Sequence, residues 1–260
     1  MTELMNHKTT SFILTSYNIH KGMSPMNRQV KMQGIAAALE TVGADILCLQ
    51  EVQGQNLKRN LHYNEYPDQS QHEWVGEFLQ LENSYGKNAE YENGHHGNAV
   101  LSRFSLDPKH NVNITVNRLE QRGVLHCEVQ PVGWDVPVVI LCAHLNLLER
   151  DRVKQYQAIS DYVNHEISDD QPLILAGDFN DWKKMSCDKL ANSLGMTEVF
   201  KHCHGKLLAT FPAKLPVLSL DRIYVRNLAI KRAWVHTGKP WSELSDHLPI
   251  SAELALIENH

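Results

Sequence analysis

In Leu173–Asn180, LILAGDFN, a short apolar run is followed at once by polar residues of catalytic type. The same pattern recurs at Val136–Asn146, where VPVVILCA precedes His144 and Asn146. Continuous apolar runs of this length, rich in β-branched residues, are typical of strands buried on both faces. A rigid sheet holds its strand ends in place, so we expect these polar side chains to share a cleft.

Similar runs along the chain extend this pattern to a set of strands. The predicted strands are Phe12–Ile19, Asp45–Leu49, Asn98–Leu101, Val124–Val129, Val136–Leu145, Leu173–Ala176, Ile223–Val225, Ala229–Val235 and Ile250–Leu256. Apolar residues at helical spacing predict helices over Arg28–Val42 and Arg150–Ile167, and a weaker one over Ser186–Leu194 that ends at Gly195. Many strands with few long helices indicate an α/β protein with more than one sheet. No repeat or linker divides residues 1–260, which favours a single domain.

Composition limits the partners and the compartment. With 25 Lys and Arg against 30 Asp and Glu, the net charge of −5 gives no global attraction for nucleic-acid phosphates or an anionic membrane. The odd set of five cysteines has no CxxC pair, which favours a reducing compartment. Met1–Thr10 shows no basic segment followed by an apolar stretch, and the run Val136–Ala143 is too short to cross a bilayer. We therefore expect a cytoplasmic protein with no transmembrane segment.

The polar residues at the strand ends fall into three chemical roles. Glu51, with Asn18 and Asp246, offers the hard oxygen ligands that Mg²⁺ prefers. Asp178 is suited to orient or deprotonate a water molecule, and the Asn180 amide to hydrogen-bond a reacting oxygen.

Histidines supply the third role. His144 and His247 are candidate partners for phosphate oxygens, and Asp221 is suited to fix a histidine tautomer. A metal, a carboxylate base and two histidines together match the needs of phosphoester hydrolysis.

Seven short motifs in order along the chain resemble those of the endonuclease/exonuclease/phosphatase superfamily. They are Tyr17–Ile19, Leu49–Val52, Gly97–Ser102, Ala143–Leu145, Gly177–Asn180, Leu220–Ile223 and Ser245–Pro249. The segments Asn18–Gly22 (NIHKG) and Gly94–Ala99 (GHHGNA) are similar to the bacterial YbhP-like branch. The resemblance extends from Ser11 to about Leu254, and the order of the motifs is more specific than any one of them.

The resemblance implies a four-layer α/β/β/α sandwich of two mixed sheets flanked by helices. It implies Glu51 as the principal metal ligand, with Asn18 and Asp246 close by, and Mg²⁺ as the cofactor, with Mn²⁺ as a substitute. It also implies that His247 pairs with Asp221 and contacts the scissile phosphate, as His144 does. Asp178 then activates the nucleophilic water and Asn180 supports it.

Several assignments stay open. Secreted DNase-like members carry a second glutamate that has no clear counterpart here, where Gly97–Asn98 stands, so the partner of His144 is undecided. Asp221 has Arg222 as an alternative, structural partner. Asn98, Arg122 and Asn146 are candidate substrate-binding residues, although a loop arginine is often simply exposed. Trp182, Trp241 and Phe211 either wall a substrate pocket or pack in the core.

The expected function is Mg²⁺-dependent hydrolysis of a phosphodiester by water attack. A DNA or RNA nuclease and a lipid head-group phosphodiesterase are the alternatives, and a non-catalytic binding protein is disfavoured because every mapped residue is present. Neither the leaving group nor the oligomeric state follows from the sequence.

Overall fold

The computed structural model describes residues 9–257, so most of the Met1–Thr10 segment considered for a leader lies outside the described residues. Twelve strands and six α-helices follow one another along these residues: β1 Phe12–Asn18, α1 Met32–Val42, β2 Ile46–Asn56, α2 Leu57–His62, α3 Gln71–Leu79, β3 Glu82–Tyr91, β4 Gly94–Ser102, β5 Ser105–Asn113, β6 Gly123–Gln130, β7 Val138–His144, α4 Glu149–Glu166, β8 Leu173–Asp178, β9 Thr197–Glu198, α5 Val199–His204, β10 Asp221–Arg226, β11 Leu228–Val235, α6 Trp241–Leu244 and β12 Ile250–Leu256.

The strands form two mixed six-stranded sheets. The first has the order β11-β12-β1-β2-β4-β3, and the second has the order β5-β6-β7-β8-β10-β9. The pairs β1–β2 and β7–β8 are parallel and the others antiparallel. The chain passes from the first sheet to the second between Ser102 and Ser105 and returns between Arg226 and Leu228. Residues 105–226 thus form one uninterrupted half of the sandwich.

Alternation of apolar side chains creates the four layers. In β2, Ile46 and Cys48 point into the core between the sheets, whereas Leu47 and Leu49 pack outward with the buried face of α1. The second sheet repeats this arrangement, because the outward-facing side chains of β7 and β8 pack against α4. Strands buried on both faces read as continuous apolar runs, which explains why the sequence showed them clearly. The expected sandwich of two mixed sheets flanked by helices is confirmed.

Elements that bury little apolar surface left no clear pattern in the sequence. β3 and β5 are edge strands of mostly exposed or half-buried polar residues, and β5 contains Pro108 beside an irregularity in its pairing. Proline is tolerated at such an edge, although it argues against a strand in the sequence. The helix expected over Arg28–Val42 begins only at Met32, and Ser186–Leu194 forms a π-helical turn followed by a 3₁₀ turn rather than an α-helix.

The strand that carries Glu51 also differs from expectation. β2 does not end before Glu51 but continues to Asn56, with an irregular register opposite β4 between Leu49 and Val52. Glu51 lies at this irregularity with φ of 53°, a left-handed conformation that is uncommon for residues other than glycine. The local distortion re-aims a side chain in the middle of a strand, as β-bulges do near functional sites.

Among the described residues, no helix combines the length and the apolar character needed to cross a membrane.

Candidate active site

Strand pairing brings three of the predicted residues to one edge of the second sheet. Asp178 at the end of β8 is in register with His144 on the parallel strand β7 and with Asp221 on the antiparallel strand β10. Because β10 runs the opposite way, its first residue reaches the edge where β7 and β8 end. The sheet itself therefore places these side chains side by side.

The first sheet contributes the facing half of the site. Asn18 ends β1, and its Nδ2 donates to Oδ2 of Asp178 at 3.1 Å, which ties the two sheets together at the cleft. Its other contacts are a longer hydrogen bond from Nδ2 to Oε1 of Glu51 at 3.5 Å and a bond accepted by Oδ1 from the His20 N–H at 3.0 Å. These contacts place Asn18 beside the carboxylates of Glu51 and Asp178, and its role as a metal ligand stays a prediction.

A cavity of about 420 Å³ opens at the seam between the sheets. It is lined by Glu51, Arg122, His144, Leu147, Asp178, Asn180, Trp182, Phe211, Leu218, Leu220, Asp246 and His247. We call this cavity the cleft. Seven of its lining residues are among the eleven that the sequence singled out for chemistry, so residues separated by up to two hundred positions meet around one space.

His247 lies between two carboxylates. Its Nδ1 is 3.0 Å from Oδ2 of Asp221, its Nε2 is 3.6 Å from Oδ2 of Asp178, and all three side chains are buried. Burial alone would lower the pKa of His247, but the charges of Asp221 and Asp178 outweigh it and raise the pKa to about 10. These three residues are close enough to hold a cation together, and the protonated imidazole itself supplies that positive charge.

Asp178 is the most enclosed carboxylate of the cleft. Its Oδ1 accepts from the Asn180 N–H at 2.9 Å, while its Oδ2 lies 3.5 Å from Nε2 of His144. Burial and the charge of Asp221 raise the pKa of Asp178 to about 6, against the opposing effect of His247. A carboxylate with a pKa near neutrality is suited to accept a proton from water.

His144 differs from His247 in its charge state. Burial and the nearby charge of Arg122 lower the pKa of His144 well below its usual value, so its ring is neutral. Among the described residues, its one carboxylate contact is Asp178, at a distance longer than an ordinary hydrogen bond. The two histidines therefore offer one neutral and one cationic hydrogen-bond donor on either side of Asp178.

Glu51 and Asp246 are the carboxylates best suited to a divalent cation. Burial would raise the pKa of Glu51, yet Lys21, with Nζ 2.6 Å from Oε2, holds that pKa well below its ordinary range. Asp246 is likewise kept ionised, because Nδ1 of His20 lies 3.3 Å from its Oδ1 and lowers its pKa against the effect of burial. Two ionised oxygen donors facing one cleft fit the chemistry of Mg²⁺.

The remaining candidate residues fall into two groups, those that line the cleft and those that do not. Arg122 lines the cleft and is held by Glu120, with NH2 donating to Oε1 at 3.2 Å. Asn180 lines it too, and its Nδ2 donates to the Leu145 carbonyl at 2.9 Å. By contrast, the structure does not bring Asn98 and Asn146 to the cleft.

Both of these asparagines are fully buried scaffold residues. Asn98 donates to the main-chain carbonyls of Gly123 and Cys142, and the Asn146 amide is shared between Gln155 and Asp151. The expectation that they bind substrate is therefore corrected. An asparagine beside a catalytic motif has the same sequence signature whether it faces the cleft or the scaffold.

Other contacts decide between the alternatives left by the sequence. The Arg222 guanidinium donates to main-chain carbonyls, including that of Ser219 at 2.5 Å, and leaves the Asp221 carboxylate to His247. Trp182 and Phe211 line the cleft, whereas Trp241 is buried against Tyr17.

Thr210 is a direct partner of the site that the sequence did not reveal. Thr210 Oγ1 donates to Oδ2 of Asp221 at 2.5 Å. No motif marks Thr210, because a threonine before an aromatic residue is common in loops.

Known proteins resemble this chain in sequence and in fold. The sequence profile of the Endonuclease/Exonuclease/phosphatase family matches residues 15–247. The chain is 40% identical over 246 residues to the uncharacterized protein YbhP of Escherichia coli strain K12, covering 95% of this chain and 97% of YbhP.

Solved structures share the fold at lower identity. An endonuclease/exonuclease/phosphatase from Beutenbergia cavernae superposes with a TM-score of 0.72 at 18% identity, over 95% of this chain and 72% of that one. Truncated TDP2 from Caenorhabditis elegans superposes with a TM-score of 0.67 at 18% identity, over 94% of this chain and 97% of that one. On the profile match and the similarity to YbhP, the chain belongs to the endonuclease/exonuclease/phosphatase family.

Proposed function

We propose that this protein is a divalent-metal-dependent phosphodiesterase that uses Mg²⁺, or Mn²⁺ as a substitute, to hydrolyse a phosphodiester with water. Family membership supports a phosphoester hydrolase in general. The observation that carries the finer proposal is the Asp221–His247–Asp178 arrangement beside the ionised pair Glu51 and Asp246 in one cleft.

Each residue has a role in the proposed reaction. Glu51 and Asp246 would hold the metal, which when bound supplies positive charge against the phosphate and lowers the pKa of a nearby water. Asp178 accepts the proton of the attacking water, and Asn18 and the Asn180 N–H hold its carboxylate in place. Asp221 keeps His247 protonated, so that this histidine donates a hydrogen bond to a non-bridging phosphate oxygen.

His144 and Arg122 complete the anion-binding side. The neutral His144 ring donates a hydrogen bond without the penalty of burying another charge, and Arg122 adds a positive charge to the same wall of the cleft. Because a phosphodiester carries one negative charge that grows during attack, donors fixed in advance stabilise the transition state more than the ground state.

The chain is proposed to act as one domain, residues 1–260, since both sheets contribute to the cleft. All five cysteines lie in the described residues and are free thiols, which supports the proposed cytoplasmic location.

Hydrolysis of bis(p-nitrophenyl) phosphate tests the proposal. Turnover is expected with Mg²⁺ or Mn²⁺ and should stop with EDTA, and E51Q should lower kcat by about 10²-fold or more. The exposed Glu65, outside the cleft, gives a matched control, E65Q, which should keep wild-type turnover. Chelator-resistant turnover would refute the metal-dependent mechanism, and cleavage of oligonucleotides alone would favour the nuclease alternative.

A further inference from the structure

One wall of the cleft is apolar and exposed to solvent. Leu147 is 61% exposed, Trp182 51% and Leu218 38%, yet all three line the same cavity as Asp178 and His247. Exposed leucines scattered singly on a surface need no explanation. Here they converge on the polar groups assigned to phosphate chemistry, so their exposure calls for a ligand.

The topology places these apolar residues together. Leu147 follows β7, Trp182 follows β8 and Leu218 precedes β10, and the three strands are neighbours in the second sheet. Since β10 is antiparallel to β8, the loops after β7 and β8 and the loop before β10 emerge at one edge. We call Leu147, Trp182 and Leu218 the apolar wall.

The two carboxylates proposed to hold the metal come from the other half of the molecule. Glu51 and Asp246 belong to the first-sheet half of the molecule, so the charged pair and the apolar wall come from opposite sides of the seam. A ligand that fills this cleft must therefore present an anionic group and an apolar group next to each other. Pockets of this kind use a few polar groups for orientation and apolar walls for affinity.

The wall favours an aliphatic group over a stacked nucleobase. Two of its three members are leucines, which have no ring face for a base. The other aromatic residue of the cleft, Phe211, already packs against His247 with ring centroids 4.9 Å apart. Lys183 Nζ lies 5.3 Å from the centroid of the Trp182 ring, so the lysine side chain covers part of this exposed indole.

We propose that the substrate is a phosphoester that carries an aliphatic substituent beside its scissile phosphate, and that the apolar wall binds this substituent. The inference rests on the proposed function, because it assigns the phosphate end of the ligand to the cleft. The aliphatic group belongs either to a soluble ester or to a lipid, and these share the chemistry that the wall recognises.

Binding of non-hydrolysable alkylphosphonates tests this inference without turnover. Titration calorimetry on the Mg²⁺-loaded protein would compare methyl-, butyl- and hexylphosphonate below their aggregation limits. A fully buried methylene group tightens binding about fourfold, so a half-exposed wall should give a hexyl-to-methyl affinity ratio of about tenfold or more. Equal affinities along the series, or no measurable binding of any member, would overturn the inference.

Two variants test whether the apolar wall is responsible for the increase in affinity with chain length. The double variant L147S/W182S should reduce the hexyl-to-methyl ratio to about threefold or less, since both residues present apolar surface to the cleft. L61S is the control, because Leu61 is 84% exposed on α2 and does not line the cleft. It should keep the full ratio, and an equal loss in both variants would refute the assignment to the wall.

Further measurements distinguish failure of this inference from failure of the proposed function. If affinity rises with alkyl chain length but the protein hydrolyses no phosphodiester, this inference is supported and the proposed function is refuted. If the protein hydrolyses phosphodiesters but its affinity does not change with chain length, the proposed function is supported and this inference is refuted. Trp182-dependent binding of a nucleoside 5′-phosphate with a flat alkyl series would assign the wall to a base and overturn the inference. Retention of the protein on phosphatidylcholine vesicles, together with the chain-length gain, would identify a lipid as the source.

Discussion

Nδ1 of His247 lies 3.0 Å from Oδ2 of Asp221, and both side chains are almost fully shielded from water. Thr210 donates to the same carboxylate oxygen, so the acceptor is fixed from two directions. Asp221 thus influences both the orientation and the charge of His247, which lines the cleft. In a buried environment this hydrogen bond has a stronger influence on the pKa of His247 than it would at the surface.

The substitution D221N is expected to lower kcat for bis(p-nitrophenyl) phosphate by about 10²–10⁴-fold. It removes the negative charge that raises the pKa of His247, so the imidazole loses its proton at a lower pH. The alkaline limb of the pH–rate profile should therefore move to lower pH than in the wild type. Circular dichroism checks folding, and an unshifted alkaline limb would contradict the assigned role of Asp221.

The substitution K21M is expected to tighten Mg²⁺ or Mn²⁺ binding by about tenfold, because it removes a positive charge that lies beside Glu51. Titration calorimetry measures the dissociation constant. The exposed Lys58 on α2 offers the control K58M, which should leave the affinity unchanged. Weaker metal binding in K21M would mean that Lys21 holds Glu51 in its ligating position instead of opposing the cation.

Acid should destabilise the fold through His126. Burial lowers its pKa to about 4, and its Nδ1 lies 2.7 Å from the Tyr162 hydroxyl. The unfolded chain takes up a proton at this residue below about pH 6.5, whereas the folded chain does so only near pH 4. Part of the unfolding free energy is therefore lost as pH falls from about 6.5 to 4, and this histidine contributes at most about 3 kcal/mol to that loss.

Urea unfolding of H126F at pH 7 and pH 4.5 checks this expectation. The variant should lose less stability between the two pH values than the wild type. H165N provides the control, because the side chain of His165 is 85% exposed and should have little effect on the pH dependence. Identical losses in H126F and the wild type would rule out His126 as a source of the acid sensitivity.

The substitution G177A is expected to lower the unfolding free energy by about 3 kcal/mol or more. Gly177 has φ of 149°, and a Cβ there would lie 1.8 Å from the Ala143 carbonyl oxygen on the neighbouring strand β7. The control G195A has φ of 63° with open space around the new methyl group, so it should cost only about 1 kcal/mol. Thermal and urea unfolding measure both, and equal losses would contradict the steric explanation.

The central strands and the residues at their ends could be predicted because burial leaves a clear mark on a sequence. β7 and β8 read as continuous apolar runs, and the polar residues that terminate them follow directly. The edge strand β5 left no such mark, since its residues are mostly exposed and Pro108 interrupts the pattern. The irregularity at Glu51 was also invisible, because a left-handed backbone at a glutamate depends on the neighbouring strand.

Within the site, the sequence predicted which types of residue are present but not where their side chains point. Asn98 and Asn180 both lie in motifs, yet only Asn180 lines the cleft. Lys21 and Thr210 act through side-chain contacts that the sequence spacing does not encode. Contacts of this kind depend on how the two sheets are packed, which no single stretch of sequence specifies.

The hydrogen bond from Asn18 to Asp178 has an implication for the molecule as a whole. It joins two halves that residues 9–257 connect at two crossings, after Ser102 and after Arg226. A small slide of one half across the other would pull this pair apart long before either half lost its own strands. The proposed activity therefore depends on the alignment of the two sheets, so substitutions in the core between them are expected to abolish it while the protein stays folded.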